Sequence, residues 1–139
     1  MLKIVFAKFA IAGLGLAAAM LAGDSGLSPA IGQSRSLEGT WSGGGRIVFP
    51  SGETERARCR ASFRRQGGNS YGMSAVCATP SARVEQSAAV THVTGNRYRG
   101  EFINQEFGIS GSIRITVSGD SLSASLSGGG GSAEFALSR

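Results

Sequence analysis

The sequence predicts an all-β protein: a small antiparallel up-and-down β-barrel of about eight strands, preceded by an N-terminal signal helix. Three observations predict it. Past residue 30, apolar and polar residues alternate with period two in one short segment after another. Glycine-bearing turns separate those segments. Helical spacing is missing from the same stretch, where Leu, Lys and Glu are scarce and Gly and Ser are dense. A meander of short strands joined by tight turns removes its exposed edges by closing on itself. A two-sheet sandwich has the same periodicity and is the alternative.

The first 22 residues read as an export signal. Lys3 and Lys8 make the start positive, and an apolar run over residues 9–22 follows, broken only by Gly13 and Gly15. That run is short for a membrane span and the right length for a secretory signal. Small residues in the small-x-small pattern stand at Ala17 and Ala19 and again at Ser28 and Ala30. Cleavage after Ala30 or slightly earlier is favoured, because the chain looks structured from Ser36. The division is then residues 1–30 as signal peptide and short linker, and residues 31–139 as one barrel domain. The expected location is the periplasm or the exterior, with an uncleaved membrane anchor as the alternative. Membrane contact is expected to be transient, through the signal segment. No Cys follows the apolar run, so a lipoprotein type of attachment has no acceptor.

The strands follow in order. Residues 37–41 open the domain, and residues 46–50 put Ile47 and Phe49 on one side. Between them Gly43-Gly44-Gly45 reads as a turn. After Ser51-Gly52, residues 53–63 set Ala57, Cys59, Ala61 and Phe63 against Arg56, Arg58 and Arg60 on the other face. Gly67-Gly68-Asn69 turns into residues 71–78, where Tyr71, Met73, Ala75 and Cys77 share a face. Residues 83–93 carry Val84, Ala88 and Val90 on one side. Thr94-Gly95-Asn96 turns into residues 97–103, with Tyr98 and Phe102 on one side. Residues 109–117 alternate most clearly: Ile109, Gly111, Ile113, Ile115 and Val117 against Ser110, Ser112, Arg114 and Thr116. Ser118-Gly119-Asp120 is a hairpin turn. Leu122, Ala124 and Leu126 alternate next, Gly128 to Gly131 reads as a flexible break, and Ala133, Phe135 and Leu137 form a last strand. Neither glycine tract reads as a phosphate loop, since neither precedes a helix or ends in Lys-Ser/Thr.

Cys59 and Cys77 are the only cysteines. In an oxidising compartment an even pair in a small domain closes a disulfide, here between two strands that both point their cysteine inward. A Cys-based metal site would need further ligands, and His92 is the only histidine, so neither a metal nor another cofactor is expected.

Leu37-Glu38-Gly39-Thr40-Trp41 resembles the opening strand of calycin-type barrels, the avidin-like, lipocalin-like and bacterial protease-inhibitor barrels. The resemblance implies that Gly39 and Trp41 are structural, with Trp41 plugging the closed base. The Cys59–Cys77 pair is similar to the disulfide of the inhibitor barrels. Their N-terminal inhibitory segment would correspond to residues 31–36. The tryptophan-rich binding pattern of avidins is not present, since Trp41 is the only tryptophan.

Beyond Ala30 there are twelve arginines, no lysine and eight carboxylates, a net charge near +4. Arg56, Arg58, Arg60, Arg64 and Arg65 form the candidate binding patch. Guanidinium groups bind carboxylate, sulfate and phosphate in bidentate fashion. For an exported domain the expected partner is an anionic envelope component or an acidic protein surface, and no nucleic acid. The alternative is that Glu53, Glu55 and Glu101 neutralise an ordinary solvated face. Catalysis is not expected: His92 stands alone, Asp120 falls in a turn, and no nucleophile has a partner set. The function read from sequence is therefore an exported non-catalytic binding protein. A periplasmic protease inhibitor and a carrier of a small apolar ligand are the alternatives. Ala57, Ala61, Ala75, Ala88, Gly111 and Ala124 leave room for a ligand or let a narrow barrel pack shut, and the short chain favours the second.

Overall fold

The computed structural model describes residues 36–139. The expected signal segment, its expected cleavage site and all of the 31–36 stretch except Ser36 lie outside the described residues. Eight antiparallel strands follow in chain order: β1 (Gly39–Val48), β2 (Thr54–Gly67), β3 (Ser70–Ala78), β4 (Arg83–Thr94), β5 (Arg97–Asn104), β6 (Ile109–Ser118), β7 (Ser121–Gly128) and β8 (Gly131–Ser138). Each strand pairs with its neighbours in the chain, and β1 pairs with β8 to close the barrel. The sandwich alternative is thereby excluded.

The period-two alternation becomes the inside and outside of the wall. Ala57, Cys59, Ala61 and Phe63 of β2 are buried, as are Tyr71, Met73, Ala75 and Cys77 of β3 and Ile113, Ile115 and Val117 of β6. The outer face is polar; on β7 it is Ser121, Ser123, Ser125 and Ser127, all exposed. An outer-membrane barrel reverses this polarity, with its apolar band facing lipid. Cys59 and Cys77 stand directly opposite each other on β2 and β3, with Cα atoms 4.1 Å apart, and are disulfide-bonded.

Two glycine tracts behave differently from their sequence reading. Gly43 to Gly45 is not a turn: β1 runs through it unbroken, pairing with β2 on one side and β8 on the other. Gly43 and Gly45 occupy inward positions between Trp41 and Ile47. A Cβ on either would collide with a β8 backbone carbonyl, Ala136 O for Gly43 and Glu134 O for Gly45. The glycines are there because the strand must bend tightly against β8 to close the barrel. Gly128 to Gly131 is not a flexible break either. Gly128 pairs with Gly131, and Gly129 and Gly130 between them have φ of 60° and 81°. Two successive positive φ values are what a two-residue type I′ hairpin turn requires. Runs of glycine carry no periodicity, so the alternation that located the other strands was silent here.

Candidate functional site

The two ends of the barrel differ in what fills them. The closed end holds the β2–β3, β4–β5 and β6–β7 connections and the chain's entry at Ser36 to Glu38. Leu37 and Trp41 are fully buried there, and Trp41 Nε1 donates to Leu37 O at 2.9 Å. The Arg139 guanidinium lies 4.1 Å over the Trp41 ring and donates through Nη1 to the carbonyls of Ser36 (2.7 Å) and Glu38 (3.0 Å). Around this plug, Tyr71 and Tyr98 meet edge-on with centroids 5.6 Å apart, and His92 packs edge-on to Tyr98 at 5.2 Å. Burial, followed by the neighbouring Tyr71, raises the Tyr98 phenol above its ordinary pKa. His92 is held by its Nε2, 2.6 Å from Gly95 O. Trp41 is thus fully buried at the end of the barrel where the described chain enters and leaves.

The open end carries the other four connections and is not filled. A cavity of about 370 Å³ lies inside the wall, lined by Ile47, Val84, Phe102, Ile109, Leu126 and Ala133. Phe49 and Phe107 stand at its rim, edge-on with centroids 6.5 Å apart. Phe107 is 46% exposed, unusual for so large an apolar side chain. Two carboxamides join this apolar lining, Gln86 of β4 and Asn104 of β5. Ser87 pairs with Ile103, so the next register position brings Gln86 beside Asn104 on the inner face. Asn104 is only 3% exposed. Its Oδ1 accepts from the Phe107 backbone N–H at 3.0 Å, which holds the β5–β6 connection in place. Among the described residues no charged side chain lines the cavity.

Sequence reading missed Gln86, Asn104 and Phe107. The signal was there: Asn104 continues the inward series Tyr98, Gly100, Phe102, and Gln86 interrupts the inward series Val84, Ala88, Val90. An amide at an inward position is a polar group placed where burial costs free energy unless it is partnered. Of the small inward residues singled out from the sequence, Ala57 and Gly111 fall toward the open end and Ala61, Ala75, Ala88 and Ala124 near mid-barrel, while Trp41, Phe63, Tyr71 and Tyr98 are buried at the closed end. At the open end, Ala133 presents only a methyl group to the cavity.

The arginine patch is split by the structure. Arg56, Arg58, Arg60 and Arg64 are exposed along the outer face of β2, and Arg46 of β1 stands opposite Arg56. Arg65 does not join them. It turns to the closed end, where its Nη2 donates to Tyr71 Oη at 3.3 Å and its guanidinium lies 5.7 Å from the Tyr71 ring centre. The expected neutralising carboxylates are elsewhere. Glu55 accepts from Ser81 Oγ at 2.7 Å, and hydrogen bonds from Thr79 and Ser81 hold its carboxyl below the ordinary value. Glu101 lies on β5, which does not neighbour β2. Among the described residues no carboxylate makes an ion pair with Arg56, Arg58, Arg60 or Arg64.

A larger trough, about 730 Å³, runs over the outside of β7 and β8 between Arg46 and Arg114. Its lining mixes Ser123, Ser125, Arg97 and Arg99 with Val93 and Ala136, and it lies open along the solvated wall. The smaller mouth cavity, apolar with two convergent amides, has the makings of a ligand site.

No protein-family model matches the chain, and no curated protein matches its sequence. Solved structures do match the fold. The redesigned β-barrel mFAP1, bound to DFHBI, superposes with a TM-score of 0.63 at 14% identity, over 74% of this chain and 94% of that one. The related mFAP0, also bound to DFHBI, gives 0.62 at 16% over 74% and 98%. A fluorescence-activating β-barrel of de novo design gives 0.59 at 16% over 77% and 96%. At such identities the likeness is one of fold: an eight-stranded closed antiparallel barrel.

Proposed function

We propose that this is an exported, non-catalytic binding protein that holds one small apolar molecule in the mouth of its barrel. The cavity at the open end carries the reading: about 370 Å³ of apolar-walled space, opposite an end where Leu37 and Trp41 are fully buried. Ligand sites in small proteins are concave, mostly apolar and equipped with a few placed polar groups. The test is titration with Prodan, a neutral naphthalene ketone whose emission shifts to the blue in apolar surroundings. One equivalent should saturate the blue-shifted signal, and Ile109→Trp, which fills the mouth, should abolish it. Absence of saturable uptake, or uptake indifferent to Ile109→Trp, would refute the carrier reading.

The unpaired arginine row on β2 favours a second reading, in which the outer wall engages an anionic envelope component or an acidic protein surface. Such an association weakens as salt screens the charges. Arg58→Glu combined with Arg60→Glu should abolish retention on a sulfated polysaccharide matrix, while Arg97→Glu with Arg99→Glu on β5 should not. Equal losses from both pairs would assign the retention to net charge alone.

A further inference from the structure

We infer that the mouth cavity selects a neutral molecule with a hydrogen-bond-accepting oxygen, and that the Asn104 amide nitrogen is the donor that reads it. The inference rests on the carrier reading above and adds the chemistry of the ligand.

Asn104 is the one buried polar residue of the barrel interior among the described residues. Its oxygen is already occupied by the Phe107 N–H. That hydrogen bond also fixes the amide's orientation, since flipping it would set an N–H₂ group against an N–H donor. The amide nitrogen, with two donor hydrogens, has no protein partner among the described residues, yet no side-chain atom of the described structure is both sealed from solvent and unsatisfied. Its remaining exposure is therefore to the cavity that Asn104 lines. A donor held at 3% residue exposure against apolar walls is a place where a ligand oxygen gains most. Gln86 of β4 lines the same cavity and supplies a second amide.

The rest of the lining restricts the remainder of the ligand. With no charged side chain in the wall, a carboxylate or ammonium would be desolvated without a counter-ion, which is costly. Phe49, Phe102 and Phe107 offer aromatic faces and edges, which suit a flat or ring-bearing body. The preferred ligand class is thus a compact, uncharged, ring-bearing carbonyl compound.

The experiment compares fluorenone with its hydrocarbon isostere fluorene and with the anion fluorene-carboxylate, each titrated by calorimetry into the intact protein with its disulfide formed. Fluorenone is expected to bind roughly five- to tenfold tighter than fluorene, the net worth of one hydrogen bond, and the carboxylate to bind weakest. Asn104→Asp, titrated at alkaline pH where its carboxyl is ionised, keeps an oxygen for the Phe107 N–H but removes the donor. It should erase the fluorenone preference while the melting transition remains cooperative. Gln86→Met should retain the preference, with fluorene affinity unchanged or raised. Equal binding of fluorenone and fluorene, or a preference that survives Asn104→Asp, would overturn the donor assignment and leave the carrier reading intact. Tightest binding of the carboxylate would overturn the requirement for a neutral ligand. Failure of both neutral probes to bind a folded protein would overturn the carrier reading itself.

Discussion

The closed and open ends of this barrel are made by the same eight strands with the same alternation, yet they are put to different uses. At the closed end Leu37, Trp41, Phe63, Tyr71, Tyr98 and Leu122 are buried, and the polar tips find protein partners: Trp41 Nε1 on Leu37, Arg65 on Tyr71, His92 on Gly95. At the open end inward positions fall to Ala133, Gly128 and two amides, and large apolar residues stand exposed at the rim. The difference teaches that a single sheet can keep its stabilising contacts and its unsatisfied ones apart, along the strand direction. Damage at one end should register as lost stability, and damage at the other as lost binding.

The largest break in that contrast is Trp41→Ala. It removes a fully buried indole and should cost about 3–5 kcal/mol. The loss is measurable as a lower denaturation midpoint with an unchanged slope. Next comes Cys59→Ser with Cys77→Ser, which releases a cross-link spanning 18 residues and should cost about 3 kcal/mol. The bond lies toward the open end, where Cys77 pairs with Val84, and unfolding should remain a single transition; a biphasic melt would mean the ends unfold separately.

A subtler probe of the closed end is alkali. The Tyr98 phenol is raised above 10.0, mainly by burial. A raised acid is neutral in the folded chain where the unfolded chain has already ionised. Stability is therefore fully present below pH 10 and falls as pH rises from there through the folded value. Tyr98→Phe should flatten that decline in a chemical-denaturation series above pH 9. The smallest stability effect belongs to the open end. Phe107→Ala touches a half-exposed ring and should shift stability by no more than about 0.5 kcal/mol. It should nevertheless weaken Prodan uptake severalfold. A large loss of stability there would collapse the distinction between the ends.

Most of the wall was legible in the sequence because a closed sheet has a strict inside and outside, and period two records it. Arg56, Arg58 and Arg60 against Ala57, Cys59 and Ala61 needed no structure to be sorted. Two kinds of feature were not legible. Gly43 to Gly45 has no side chains with which to alternate, so a continuous strand looked like a turn. Asn104 and Gln86 stand 18 positions apart in the sequence and become neighbours only through the β4–β5 register. Arg65 looked like a member of the row beside it. After Phe63 the alternation turns it inward, to Tyr71, just ahead of a bulge between Arg65 and Gly67.

The β1–β8 pairing has a kinetic meaning as well. Every other pair of strands is a local hairpin that can form as soon as its second half exists, whereas β1 waits for a partner that lies at the far end of the domain. Loop-closure entropy makes that pairing the slowest step to nucleate. Until it forms, the row of β1 backbone groups destined for β8 is an open edge available to any other extended chain. The seam where Gly43 and Gly45 lie against β8 is thus where the folding race between closure and self-association is decided. An alanine at either position would tilt that race before it altered any property of the finished barrel's mouth.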